Sequence, residues 1–368
     1  MNQPKLESDF PKPRGPLQGV RVLELAHIMA GPVCGLMLAD LGADVIKVEK
    51  MPGGDDTRRM IPPMVGEESA AFMMMNRNKR GIAVNLKQEQ GKEILRKLVA
   101  EADVLIENYR HDSMKKLGLG YDELKQINPG LVYCEISGFG RSGPFMEQGG
   151  FDLIAQGMSG LMSITGEEPG RSPVKVGAPL TDITAGILGA LGAVSALVQR
   201  NASAQGQKVD TSLFEAGIVH TYWQSAICMA TGVSPGPMGS AHPLNAPYQT
   251  FRTRDGWINV GAANQRNWER LLEVLGVPEM GSDPRFEDNH GRMDNLKPLE
   301  EELNKVFETR TTKEWLDRLA EVGVPSGPVL DIQEMHRHPQ TQARQMVTEV
   351  NHPKEGKVET IGLPIKLS

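Results

Sequence analysis

The alternation of strand and helix signals between residues 19 and 137 constrains this chain more than any other feature. Gly19–Leu25 reads as a buried strand, Ala26–Pro32 as a turn, Val33–Leu41 as a helix and Ala43–Glu49 as a second strand. Further strands are expected at Gly81–Asn85, Ala102–Glu107 and Leu131–Ser137, with helical patterns over Gln88–Glu101 and Tyr121–Gln126. Short apolar runs separated by helix-length segments call for a parallel sheet with helices on both faces. The expected class is therefore α/β, with a Rossmann-like sheet. The first strand–helix–strand unit ends in an acid, Glu49, which is the outline of a dinucleotide-binding half. Its turn, however, carries Gly31 followed by Pro32 in place of G-x-G-x-x-G, so a pyrophosphate cannot approach the backbone as that fingerprint requires. We reject an NAD site and read Glu49 as a strand-end surface acid. The Gly138–Pro144 loop leaves the last of these strands, where open α/β sheets line their ligand crevice.

A second stretch, Val174–Gly186, surrounds Asp182 with small and apolar residues, and the apolar run Ile183–Val198 follows it. Read locally, Asp182 is a helix N-cap. The functional alternative is an ionised carboxylate at a helix N-terminus, in a dry, glycine-lined pocket, acting as a nucleophile. The apolar run is short for a membrane span and interrupted by glycines, so it reads as a buried helix and the chain as having no membrane partner.

A length of 368 residues leaves room for two domains. We place the large domain at 1–220, a linker and small α+β domain at 221–331, and a return segment at 332–368. Within the small domain, Pro247–Gly261 reads as a hairpin turning at Arg254–Gly256, and helices are expected at Trp268–Leu275, Leu296–Thr309 and Lys313–Glu321. Asn201–Gln207 reads as a loop, Ser212–Met229 as one apolar helix and Gly232–Ser240 as the linker. A net charge of −6 argues against nucleic acid as the main partner. A basic cluster of Lys50, Arg58, Arg59, Arg77, Lys79, Arg80 and Lys87 is either a field for a phosphate-rich ligand or a solvated face of charge pairs. Met73–Met75 reads as core filler. Cys34, Cys134 and Cys228 are far apart and show no metal spacing, so no metal site is expected and the thiols read as reduced core residues of a cytoplasmic protein. The proline-rich leader has no apolar segment and reads as neither a signal nor a transit peptide.

Many short stretches, in order from about residue 16, resemble the class III CoA-transferases (the CaiB/BaiF family, formyl-CoA transferase-like). They include Ala30-Gly-Pro, Leu38-Ala-Asp-Leu-Gly-Ala-Asp-Val-Ile-Lys-Val-Glu, Gly53-Gly-Asp-Asp, Asn78-Lys-Arg, Glu107-Asn-Tyr, Ser137-Gly-Phe-Gly-Arg-Ser-Gly-Pro, Asp152-Leu-Ile-Ala-Gln, the Asp182 stretch and Asp283-Pro-Arg-Phe. The resemblance implies that Asp182 is a nucleophile carrying CoA through aspartyl anhydride and aspartyl-CoA thioester intermediates. It also implies that CoA lies along the first half of the sheet, at His27, Met29, Ala30, Lys50, Val84, Lys87, Asn108 and Tyr109, and at Lys115 or Lys116. CoA and acyl-CoA are then substrates, with no permanently bound cofactor. The acceptor is a free carboxylic acid, with dicarboxylic acids among those considered, and succinyl-CoA is the donor to try first. An interlocked homodimer is implied as well.

Three departures from the family pattern matter. The formyl-CoA/oxalate subgroup carries four glycines as a lid where this chain reads His242-Pro-Leu-Asn-Ala246, which argues against formyl-CoA:oxalate transfer and leaves the acceptor open. The α-methylacyl-CoA racemase branch carries a proton-transferring histidine where this chain has Phe151, which cannot move a proton. An epimerase is thus the alternative, and a non-catalytic CoA-binding protein ranks behind it. Finally, the sequence ends at Ser368, where relatives usually continue with a helical tail returning to the large domain.

Overall fold

The computed structural model describes residues 14–368; the leader, and the expectation attached to it, lie outside the described residues. The chain divides into two compact units. The larger runs to Leu161 and takes in Lys175–Thr221 and Ala343–Ser368, and the smaller comprises Met162–Val174 and Tyr222–Gln342.

The larger unit is built on six strands: β1 (Arg21–Leu25), β2 (Asp44–Lys50), β3 (Lys79–Val84), β4 (Val104–Glu107), β5 (Val132–Ser137) and β6 (Lys208–Ser212). They lie side by side in the order β3-β2-β1-β4-β5-β6, every pair parallel. Chain direction through the sheet reverses between β1 and β4, the point at which doubly wound sheets open a crevice beyond their carboxyl ends. Alternate side chains serve opposite faces. Val22, Val104, Ile106, Val132 and Cys134 enter one buried cluster with the helices Ala30–Asp40 and Leu180–Ser203. Leu23, Leu25, Leu105, Leu131 and Tyr133 enter a second with Leu95 and Val99 of helix Glu89–Val99. Both faces are thus covered, as the strand–helix alternation requires.

Several local expectations are corrected. Strand β6 was missed, because Lys208-Val-Asp-Thr-Ser has only its last two residues buried. The helix expected over Ser212–Met229 is two helices, Leu213–Ile218 and Tyr222–Thr231, separated by a 3-10 turn at Val219–Thr221. The first helix starts at Ala30, three residues early, so Pro32 occupies its third position, where an N–H has no intrahelical partner. Only Met75 of the three adjacent methionines is buried, and Met74 is exposed. Cys34 and Cys134 are buried in the core, but Cys228 is only half-buried. The helix Leu180–Ser203 is long and apolar enough to cross a membrane by length and composition alone, with a mean hydropathy of 1.6. In this structure it packs against helices Ala30–Asp40 and Leu213–Ile218 and against β5 and β6.

The smaller unit carries an antiparallel sheet of Ser326–Pro328, Trp257–Gly261 and Tyr248–Arg252, with Trp257 opposite Arg252 across the turn. Phe251, Phe307, Trp268 and Trp315 fill its core, where Phe251 stacks on Phe307 at 5.0 Å.

Candidate active site

Asp182 is the third residue of helix Leu180–Ser203, not its cap. The capping role falls to Asp152, 30 positions earlier in sequence. Its Oδ1 accepts the Thr181 N–H at 3.0 Å and the Thr181 hydroxyl at 2.8 Å, and its Oδ2 accepts the Gln156 amide at 2.8 Å. Gln156 in turn takes the Val176 N–H at 2.9 Å, which ties the approach to the helix. Asp182 is left half-buried, and among the described residues its carboxylate meets no hydrogen-bond donor. Burial, helped by the negative charge of Asp152, raises its pKa from 3.8 to about 6. At pH 7 such a carboxylate is still about nine-tenths ionised, and it is more basic than an ordinary aspartate. A bare, ionised carboxylate at the start of a helix can attack an electrophile without a general base.

One turn beyond Asp182, Gly186 lies against the first residue of helix Ala30–Asp40. A Cβ on Gly186 would sit 2.6 Å from the Ala30 carbonyl oxygen and 2.8 Å from the Val33 side chain. Small side chains along this face let the two helices meet nearly backbone to backbone, which places Asp182 one turn from the end of the Ala26–Pro32 turn. Gly138, which opens the Gly138–Gly143 loop, serves a related purpose: a Cβ on it would meet the Gly150 backbone at 2.6 Å. The loop is thereby held against the segment that leads into Asp152.

Beyond the carboxyl ends of β1 to β4 lies a cavity of about 400 Å³. His27, Lys50, Val84, Lys87, Asn108 and Tyr109 all line it, so six of the residues singled out in the sequence converge. Ala30 is buried at the start of the helix that leaves the same turn, with Met29 just before it, and neither is among the lining residues. Lys115 and Lys116 do not line the cavity either; on that short helix Ser113 faces it instead, with Leu117 just beyond. Arg110 and Met51 also line the cavity and were missed in the sequence. The signal for Arg110 was its place directly after the Asn108–Tyr109 motif at a strand end.

The side chains have unequal freedom to bind. Asn108 clamps the first turn, its Oδ1 accepting the His27 N–H at 3.0 Å and its Nδ2 donating to the His27 carbonyl at 2.8 Å. His27 packs beside Tyr109, with ring centroids 5.7 Å apart, and burial lowers its pKa, so it is neutral at pH 7. Burial likewise pushes the Tyr109 hydroxyl up to about 12.

The basic cluster is mostly neutralised. Arg77 pairs with Asp40, Arg59 with Asp56, Arg80 with Asp44 at 2.6 Å and Arg58 with Glu49 at 2.7 Å. Lys79 is buried on Glu24, and Lys50 reaches Asp56 at 2.8 Å. The charge-pair reading thus holds for six of the seven residues. Among the described residues no acid pairs with Lys87 or Arg110. Glu49 is corrected from surface acid to buried anchor: it holds Arg58 and accepts the Asp55 N–H at 2.8 Å. Burial alone would raise its pKa, but Arg58 and that N–H hold it below the usual range. Arg141 is similarly occupied, buried against Glu107 at 2.7 Å with the Tyr109 carbonyl at 3.0 Å.

CoA-transferase family III matches residues 17–368. The chain belongs to CoA-transferase family III. Among family members it is 38% identical over 354 residues to human succinyl-CoA:glutarate CoA-transferase, an alignment covering 96% of this chain and 80% of that protein. It is 39% identical to the acetyl-CoA:oxalate CoA-transferase of Acetobacter aceti, covering 97% and 90%. The crystal structure of a CaiB/BaiF family protein from Brucella suis superposes with a TM-score of 0.85 at 41% identity, covering 96% of this chain and 93% of that one. CoA-transferases take CoA thioesters as substrates, so the two features to connect are the lysine-lined cavity and the bare carboxylate.

Proposed function

We propose that this family III CoA-transferase moves CoA from an acyl-CoA thioester to a free dicarboxylic acid, with Asp182 as the nucleophile. The observation that carries the reading is the ionised Asp182 carboxylate, relieved of capping by Asp152 and set in the first turn of helix Leu180–Ser203. CoA would lie along the carboxyl ends of β1 to β4, its phosphates drawn by Lys87, Lys50 and Arg110. The neutral His27 and Tyr109 rings would face its less charged parts.

In the first step an Asp182 oxygen attacks the donor carbonyl, the C–S bond breaks, and a mixed anhydride and CoA thiolate form. The thiolate then attacks the aspartyl carbonyl, which releases the donor acid and leaves an aspartyl-CoA thioester. The acceptor carboxylate attacks that thioester to give a second anhydride and free thiolate. Attack of the thiolate on the acceptor carbonyl yields the new acyl-CoA and regenerates Asp182. No proton needs to move, which suits a site whose carboxylate stands without a base. Water must be kept from the anhydrides, a task that fits the close packing at Gly186 and at Gly138.

The donor we propose is succinyl-CoA, the one named for the human relative. Arg141 is not available to read a second acceptor carboxylate, since Glu107 occupies it. A homodimer is part of the proposal, supported by the exposed apolar side chains of Phe151, Ile154, Ile187, Leu191 and Val198. We place the enzyme in the cytoplasm on the strength of its free Cys34 and Cys134 in one core cluster. The test is incubation with succinyl-CoA and a panel of isotopically labelled mono- and dicarboxylic acids, with products separated by chromatography. A labelled acyl-CoA from at least one dicarboxylic acid is expected. Failure of every acid, or label only from monocarboxylic acids, would refute the assignment.

A further inference from the structure

The Ala26–Pro32 turn at the lip of the cavity is gripped by side chains at five backbone atoms. Lys47 donates to the Ala26 carbonyl at 2.9 Å, Asn108 holds both the N–H and the carbonyl of His27, Asp55 accepts the Ile28 N–H at 3.1 Å, and Lys79 donates to the Pro32 carbonyl at 2.8 Å. Three of those grips come from one buried charge group beneath the turn. Glu24 on β1 holds Lys47 on β2 at 2.7 Å and Lys79 on β3 at 2.7 Å, and Lys47 holds Asp55 at 2.9 Å. The side chains of all four are nearly inaccessible to solvent. At the centre of the turn Ile28 has φ 66°, a left-handed conformation that a β-branched residue rarely adopts without restraint.

Two acids and two lysines buried together, three of them on strands of the parallel sheet, are a poor way to gain stability, since well-packed apolar side chains would escape the desolvation penalty. Apolar residues there would, however, leave the Ala26 and Pro32 carbonyls and the Ile28 N–H without these partners. The charges therefore serve the shape of the turn. Dinucleotide-binding folds shape the same turn with glycines, of which this one keeps only Gly31.

We propose that Glu24, Lys47, Asp55 and Lys79 are positioning residues that preset the Ala26–Pro32 turn to receive CoA, a charged clamp in place of a glycine-rich loop. They act on CoA affinity rather than on acyl transfer. The inference rests on the reading of the cavity as the CoA site, and the test separates the two. Full-length wild type, Asp55→Asn and Ile28→Gly are titrated calorimetrically with CoA itself, and amide hydrogen exchange is followed at Ile28 and Met29. Asp55→Asn removes the charged acceptor of the Ile28 N–H. It should raise the Kd for CoA about tenfold or more and speed exchange at Ile28, while leaving the KM for the acceptor acid unchanged. Ile28→Gly leaves the buried charges intact and suits a positive φ, so it should fold with an undiminished thermal midpoint yet bind CoA several-fold more weakly. If both variants fold and bind CoA as the wild type does, the inference is overturned while the cavity keeps its assignment. Wild-type protein that binds no CoA would overturn the cavity assignment and the inference with it.

Discussion

Asp182→Asn should abolish transfer and make the protein more stable at neutral pH. Unfolded, Asp182 titrates near 3.8; folded, burial and the Asp152 charge move it to about 6. Between those values the native state holds a proton that the unfolded state has lost, so stability falls as pH rises from about 4 to about 6 and stays lower above. The difference of the two pKa values corresponds to about 3 kcal/mol. The neutral isostere should therefore gain about that much at pH 7. Urea unfolding of both proteins at pH 7 and at pH 4 measures this, and other titrating groups cancel in the comparison. The variant should be the more stable at pH 7, and the gap should largely close at pH 4. An equal gap at both pH values, or a variant less stable at pH 7, would refute the argument that Asp182 is held ionised at a cost.

Three further outcomes follow from the same geometry. The pH profile of kcat/KM should fall on an acid limb near pH 6 as Asp182 takes up a proton, and Asp152→Asn, which removes the neighbouring charge, should move that limb to lower pH. Lys87→Ala should weaken CoA binding more than Lys50→Ala, because Lys50 already pairs with Asp56; titrations at two salt concentrations should show the Lys87 contribution shrinking as salt rises. Gly186→Ala, which drives a Cβ to 2.6 Å from the Ala30 oxygen, should destabilise the protein by about 1–3 kcal/mol in thermal unfolding and should also weaken CoA binding.

The sheet was legible because its inner strands are mostly apolar, interrupted by Glu24 in β1 and Lys47 in β2, and β6 was not because it sits at an edge with a mostly polar sequence. The cavity residues at the strand ends were found through motifs rather than periodicity, and the structure shows why the motifs are spaced as they are: His27 follows β1, Lys50 ends β2, Val84 ends β3 and Asn108 follows β4. What the sequence could not reveal is which residue takes which job at long range. Asp182 has the local signature of a cap, yet Asp152 arrives from another segment and does the capping. The basic cluster has the composition of a phosphate field, yet partners from distant strands and loops take most of its charge. A clue was available in Lys47, a lysine inside the apolar strand Asp44–Lys50, whose partner Glu24 lies directly opposite on β1. Pairing across strands, not spacing along one, gives that lysine its meaning.

The central claim is that Asp182 carries CoA covalently, and its most direct test is mass spectrometry of the intact protein after brief mixing with succinyl-CoA, without acceptor acid, followed by peptide mapping. The expected result is a mass increase matching an aspartyl-CoA thioester, located on the peptide containing Asp182, absent in Asp182→Asn and discharged when a competent acid is added. Turnover by the wild type with no adduct on that peptide, or turnover retained by Asp182→Asn, would contradict it.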